Sequence, residues 1–298
     1  MQYTVRAFAS EGDQSQIINL VRARPTVRIT DFPSLIDLRE MFGLETIRAN
    51  TGLWFDEHDQ LVGYAILDET NLIAETLPGV VETLFPCIIA WADVRNQGNE
   101  LEMMCQDSDT HQMVLLEQHG FVRQLGGAIH MQRSLLTPIP DPMLPPGFVI
   151  RPITGEMEVA AHVTLHRAAW HTDYMTVEYR LSMMRTPSYD QALDLLAVAP
   201  DGRLAAYCMC YISPEENALS GSLDGHTDPI ATHPDFQCRG LAGALLLAGM
   251  KLLRARGMET AKLGTSLDNI AMQRAAVRVG FEATYRTVSY ARPRQTGR

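Results

Sequence analysis

The sequence predicts an α/β fold of the mixed-sheet (α+β) kind, built twice, with helices on the faces of each sheet. Three observations carry that expectation: a proline-rich break near the middle, a repeated order of elements on either side of it, and apolar runs that alternate between strand and helix periodicity. At 298 residues, with 46% hydrophobic and 20% charged residues, the chain is long enough for two ordinary cores. The break is Thr137–Gly147, TPIPDPMLPPG, whose five prolines fix backbone dihedrals and remove amide donors. Domains are therefore expected at residues 1–137 and 148–298, joined by a linker at 138–147.

Each half opens with a strand and a helix, YTVRAFASEGDQSQIINLV with Arg6 and FVIRPITGEMEVAAHVTLH with Arg151. A hairpin follows in both. GLWFDEHDQLVGYAIL turns at DEHDQ and LLAVAPDGRLAAYCMCY turns at PDGR, each turn flanked by apolar runs. Both halves then carry a helix that stops at a Gly-Phe pair, Gly120-Phe121 and Gly280-Phe281. In the second half the order after the hairpin reads as an extended segment at 228–232, a helix over about 240–256, a strand at 260–265, a helix at 271–279 and a closing strand. The helix from Gly240 is rich in Leu and Ala and ends in RARG, basic residues that suit a negative helix terminus.

Composition excludes several functions. A net charge of −10 repels phosphate backbones, so nucleic acid is not expected as a partner. The amino terminus lacks a basic region followed by an apolar core, and no apolar run approaches the roughly 20 residues that span a bilayer, so no membrane association is expected. Five cysteines (Cys87, Cys105, Cys208, Cys210 and Cys238) lack CxxC spacing and suit reduced thiols in a cytoplasm. His162, His166 and His171 have no HExxH pattern, and no metal is expected. The Met103-Met104 and Met183-Met184 pairs read as core filling.

Chemistry concentrates where a strand turns into the helix at Gly240. A helix start exposes unpaired amides and the positive end of the helix dipole, which together attract an anion such as phosphate. The turn reads Gln237, Cys238, Arg239, Gly240, Leu241, Ala242, a QxxGxA pattern in which Gly240 and Ala242 leave room for close approach of backbone to ligand. Small residues that merely pack a helix on a sheet give the same pattern. Arg239 adds a positive charge.

DPIATHPDFQCRGLAGALL resembles the signature of the Gcn5-related N-acetyltransferases (GNAT), (Gln/Arg)xxGx(Gly/Ala) after a strand ending in a pair such as His-Pro. The likeness continues through RARGMETAKLGTSLDNIAMQRAAVRVGF, where Asn269, Gly280 and Phe281 match, and covers about the last 150 residues. The doubled arrangement resembles the tandem acetyltransferases of the mycothiol-synthase type. What the resemblance implies is acetyl-coenzyme A as co-substrate, its pantetheine arm against Ile230, Ala231 and Thr232, and its pyrophosphate on the amides of Gln237, Cys238, Arg239, Gly240, Leu241, Ala242 and Gly243. A small-molecule amine would attack the thioester directly; self-association of the chain is left open.

An amine must lose a proton before it attacks, so a base near the strand opening is expected. Asp228 stands just before Pro229, where tandem relatives place a Glu, and is the first candidate; capping of a turn is its structural alternative. His226 is the second choice, and His233 reads as a turn residue. The family's usual acid for the leaving thiolate, a Tyr four positions before the Gly of Gly-Phe, is here Ala276. Tyr285 is the expected substitute, with Tyr290 beside it, and solvent is a further proton source. That alanine keeps open a second reading, a regulatory module that binds coenzyme A without turnover. Trp170, His171, Asp173 and Tyr174 fall where the family lines its acceptor pocket.

The first half lacks the cradle. Its matching helix start, LPGVVETLFPCIIAWADVRNQG, has no Gln or Arg two residues before a glycine and carries Pro86, expected to interrupt the helix. The position equivalent to Asn269 is expected near Ser108. This half is read as a degenerate copy that packs against the second and walls its cleft.

Overall fold

The structure is a computed structural model that describes residues 3–25 and 28–294. The chain divides into two compact units, residues 1–127 with 285–298, and residues 128–284. That division differs from a cut at the proline-rich segment, because each unit takes its last strand from the other half of the sequence.

The first unit contains β1 (Thr4–Ala7), α1 (Glu11–Arg22), α2 (Leu35–Met41), α3 (Glu45–Ala49), β2 (Thr51–Phe55), β3 (Leu61–Asp68), β4 (Asn71–Thr76), α4 (Val81–Arg95), β5 (Glu100–Gln106), α5 (Thr110–Gln118) and the start of β6 (Val122–Ser134). The second contains the rest of β6, β7 (Val149–Pro152), α6 (Val159–Trp170), α7 (Val177–Met184), β8 (Asp194–Val198), β9 (Leu204–Met209), α8 (Pro214–Ser220), β10 (Asp224–His226), β11 (Ile230–Thr232), α9 (Leu241–Ala255), β12 (Thr260–Ser266), α10 (Ile270–Arg278) and the start of β13 (Glu282–Pro293). No helix among the described residues is long and apolar enough to cross a membrane.

The repeat has a physical basis in each opening. Arg6 donates to Asp13 at 2.6 Å while Asp13 accepts the amides of Ala9 and Ser10, pinning β1 to the start of α1. Arg151 and Glu158 do the same for β7 and α6, at 2.8 Å, with the Thr154 amide on Glu158. The hairpins form as expected: β2 pairs antiparallel with β3, and β8 with β9.

Strand order in the first unit is β1-β2-β3-β4-β5-β13, with β4 and β5 parallel and the Thr287–Pro293 part of β13 antiparallel to β5. In the second unit the Ala128–Ser134 part of β6 lies antiparallel to β12, and β12 is parallel to β10. A separate sheet runs β11-β9-β8-β7. The closing strands are thus exchanged: β6 leaves the first half to pair in the second, and β13 returns the exchange.

Helix α9 supplies the second unit's core. Leu241, Leu245, Leu246, Met250 and Leu253 are buried on one stripe, among Ala205, Cys208, Ala261 and Leu263 of the sheets. Its apolar face crosses β8 and β9, which fixes where its amino end points. In the first unit α4 occupies the corresponding place and runs unbroken through Pro86, contrary to expectation. One backbone donor is missing there, and Leu84, Phe85, Ile88 and Ile89 bury the helix around it.

Candidate functional site

The strand leading to α9 is broken in two. Through β10 it follows β12, and Thr227 still donates its amide to the Lys262 carbonyl at 2.9 Å. After Pro229 it crosses to the other sheet: the Met209 amide bonds to the Pro229 carbonyl, and Ile230, Ala231 and Thr232 pair with Cys208, Tyr207 and Ala206. Among the described residues β11 therefore has β9 on one edge and no ladder to β12 on the other. The extended segment expected at 228–232 is this splay.

From Thr232 the chain makes a single 3-10 turn at Pro234–Phe236 and enters the loop before α9. His233 accepts the Asp235 amide, the turn role expected of it. Phe236 is buried under two guanidinium groups, Arg203 at 4.6 Å and Arg239 at 5.5 Å, and Arg239 also donates to the Asp235 carbonyl. Gly240 caps α9 with φ +80°, the left-handed region, and a Cβ there would meet nothing within 4 Å. Cys238 adopts φ +60° and is exposed. The leading amides of α9 have no intrahelical acceptors, as at any helix start.

A cavity of about 600 Å³ joins these pieces. Among the residues expected to bind cofactor, Ile230, Ala231, Thr232, Gln237, Cys238, Arg239, Gly240, Leu241, Ala242 and Asn269 all line it. Gly243 does not; it sits 3.6 Å, measured from an ideal Cβ, from the Val279 side chain. The Asn269 side chain caps α10 by accepting the Met272 amide at 3.1 Å, so its side-chain oxygen already has a partner. Sequence reasoning missed Phe236, Arg274 and Arg278. The two arginines are four apart on α10 and, with Arg239, give the cavity three cationic side chains.

The α10 face toward the cavity carries Ala271, Arg274, Ala275 and Arg278. Ala276, the position compared with the family's tyrosine, is fully buried in the hydrophobic core. The register of α10 thus leaves the cavity face without a hydroxyl. Tyr285 is half-buried on β13, at the first residue counted with the first unit. Tyr290 belongs to the first unit's core, with its hydroxyl 3.4 Å from Glu117, and is no part of the splay.

Asp228 stands at the break itself. One carboxylate oxygen accepts the Gly264 amide of β12 at 3.0 Å, and the other lies 4.0 Å from His226 Nδ1. His226 stacks on Tyr211, with ring centroids 4.4 Å apart, and burial with Lys262 nearby pushes it down to about 3. So low a value makes His226 a poor proton acceptor at neutral pH.

Trp170 and Ala169 close the cavity at the end of α6. The Trp170 indole donates to the Tyr207 hydroxyl at 2.9 Å, His166 Nδ1 lies 2.7 Å from the same hydroxyl, and His166 Nε2 lies 3.1 Å from Tyr174. Burial and Arg180 hold His166 down at about 4, so the chain Trp170–Tyr207–His166–Tyr174 is neutral at pH 7. His171, by contrast, is the exposed left-handed cap of α6. No group of three potential metal ligands forms among the described residues.

The first unit has a smaller cavity, about 360 Å³, between β4 and the starts of α4 and α5. Its wall includes Arg24, which is buried, ion-paired to Glu75 and bonded to the carbonyls of Asp31 and Pro33. The residue corresponding to Asn269 is Asp109, one beyond Ser108, and it caps α5 by accepting the Gln112 amide.

Comparison with known proteins agrees with this geometry. Residues 160–281 match the acetyltransferase (GNAT) family. The chain is 31% identical over 169 residues to a mycothiol acetyltransferase of Nocardia farcinica, covering 54% of each protein. It is 32% identical over 171 residues to one of Saccharopolyspora erythraea, covering 56% of this chain and 54% of that protein. The match thus spans about half the length of these curated relatives. Among solved structures, a GCN5-related N-acetyltransferase from Sphaerobacter thermophilus superposes with a TM-score of 0.71 at 22% identity, over 99% of this chain and 97% of that one. A tandem GNAT protein from the clavulanic acid biosynthesis pathway gives 0.71 at 15% identity, over 100% and 99%.

Proposed function

We propose that this chain, a tandem member of the GNAT superfamily with its acetyltransferase-family domain at residues 160–281, transfers acetyl from acetyl-coenzyme A to the amine of a small molecule. The observation that carries this reading is the cavity running from the free edge of β11 to the amino end of α9. Its parts fit the co-substrate: an extended edge for an amide-bearing arm, a left-handed glycine with open space above it, helix-start amides for a diphosphate, and Arg239, Arg274 and Arg278 for its charge. The relatives from Nocardia and Saccharopolyspora are mycothiol acetyltransferases; the acceptor of this chain is assigned only as an amine.

Within this reading the second unit works by positioning. Holding amine and thioester together supplies much of the acceleration, and Asp228, fixed by the Gly264 amide, receives the amine's proton. The thiolate takes its proton from water; Tyr285, the acid expected from the sequence, is not among the residues that line the cavity. Asp228→Asn should reduce turnover on amines about 100-fold and leave acetyl-coenzyme A affinity unchanged. Unchanged turnover would remove Asp228 as base.

A second reading, a coenzyme A-binding regulatory module, is favoured by the missing hydroxyl on the cavity face of α10. Thermal stability with acetyl-coenzyme A and thiol release across a panel of amines separate the two. A stability shift without thiol release selects the module, and the absence of a shift rejects both.

A further inference from the structure

The sheet face opposite α9 and α10 carries a polar cluster that the cofactor cavity does not use. On β12, Ala261 and Leu263 point into the core, so Lys262 and Gly264 face the other way. On β6, Ile129 and Met131 point into the same core, and His130, paired with Gly264, faces with it. A Cβ added to Gly264 would lie 3.6 Å from Asp228 Oδ2 and 3.6 Å from His130 Nδ1. The glycine therefore leaves a methyl-sized space with a carboxylate on one side and an imidazole on the other. A substrate nitrogen in contact with the Gly264 Cα sits just beyond that point, flanked by the carboxylate and the imidazole.

We propose, on the premise that Asp228 is the base of acyl transfer, that the acceptor amine sits over Gly264 between Asp228 and His130, and that His130 takes the second of the two protons the nitrogen sheds. An ammonium R–NH₃⁺ loses one proton to Asp228; the amine attacks the thioester carbon; the C–N bond forms and the C–S bond breaks. The nitrogen's second proton passes to His130, the sulfur leaves with the bonding pair and takes up one proton, and the other is released to solvent. Burial and Lys262 hold the His130 pKa below the ordinary value, so it is neutral at pH 7 but a weaker base than a free imidazole; it takes only the nitrogen's second proton, which is far more acidic once the C–N bond has formed. The groups that face it are Lys262 from β12 and, from the β10 side, His226 and Asp228; the Thr284 hydroxyl donates to its carbonyl. Lys262 is itself ion-paired to Asp224 at 2.6 Å.

His130 precedes the proline-rich segment and reaches this face only because β6 is exchanged. The half without an anion cradle thereby supplies a group to the chemistry of the other.

The test compares His130→Gln, Gly264→Ala and Asp228→Asn with the wild type, by calorimetry with acetyl-coenzyme A and by thiol release with whichever primary amine of a panel the wild type turns over fastest. Gly264→Ala places its methyl at ordinary contact distance from its neighbours, so it fills the space without forcing the fold. All three variants should bind acetyl-coenzyme A as the wild type does. Gly264→Ala should lose amine turnover, and His130→Gln should lower kcat/KM about 100-fold and change the acid limb of its pH profile by removing the contribution of His130. Turnover retained in Gly264→Ala, or an unchanged pH profile in His130→Gln, overturns the proposal; if Asp228→Asn is still inactive, acyl transfer at Asp228 survives that result. A wild type that binds acetyl-coenzyme A and acetylates no amine removes both.

Discussion

Replacing His162 by leucine isolates the proton that the folded second unit excludes. His162 lies on α6 at 2% exposure, its ring centroid 4.5 Å from that of Tyr207, and neither ring nitrogen has a hydrogen-bond partner among the described residues. Burial, with Arg180 and His166 nearby, pushes it down from 6.5 to about 3. Between those two values the unfolded chain binds a proton that the folded one refuses, so stability rises with pH and is lost as pH falls below 6.5. At pH 5.0 the unfolded side chain is protonated and the folded one is not, and the difference costs about 2 kcal/mol. A folded value one unit higher changes that figure by only about 0.1 kcal/mol. At pH 7.5 the cost is negligible. Leucine has a similar volume and no proton to exclude. Urea unfolding of both proteins at pH 7.5 and 5.0 should show the wild type losing about 2 kcal/mol more than His162→Leu over that interval. Equal losses would mean that His162 is protonated in the folded state, and the neutral cluster described around Tyr207 would be wrong.

Two further outcomes follow from backbone strain and buried charge. Gly240→Ala places a Cβ in open space but in the left-handed region, so its cost is conformational, about 1–2 kcal/mol in urea unfolding; a loss under about 0.3 kcal/mol contradicts the backbone assigned to the start of α9. Arg180 and Asp194 form an ion pair with side chains 1% and 0% exposed. Arg180→Met should cost about 3–5 kcal/mol by leaving a buried carboxylate without its cation and with only the Tyr189 hydroxyl as donor, and adding Asp194→Leu should restore more than half of it. A double variant as unstable as the single one contradicts that mechanism.

Local chemistry was the legible part of this chain. Gly240 at a helix start after a strand marked the cavity's anion end, and PDGR marked the β8–β9 turn, because glycine and proline constrain dihedrals wherever they stand. The pairing of Arg6 with Asp13 and of Arg151 with Glu158 left a repeat in the sequence because both pairs are local. Partner choice between distant strands leaves no such mark. β6 and β13 read as ordinary closing strands, and nothing in VRQLGGAIHMQRS says that it pairs with β12, so His130 went unnoticed as a site residue. The face of α10 was also hidden: a rotation of one residue decides whether Ala275 or Ala276 looks onto the cavity, and the packing of Phe281 and Met272 sets it. Trp170 was noticed as a pocket residue, whereas its partner Tyr207 fell within the apolar run of a hairpin and carried no signal of its own.

The central claim is that acetyl-coenzyme A binds with its diphosphate at the start of α9. Calorimetric titration of acetyl-coenzyme A into the wild type and into Ala242→Glu tests it directly. Ala242 lines the cavity in the first turn of α9, where a glutamate favours the helix dipole yet repels a diphosphate. The wild type should bind one molecule per chain, and Ala242→Glu should bind at least about 10-fold more weakly, about 1.4 kcal/mol, with thermal stability unchanged or higher. Equal affinity in the two proteins, or no binding by the wild type, would contradict it.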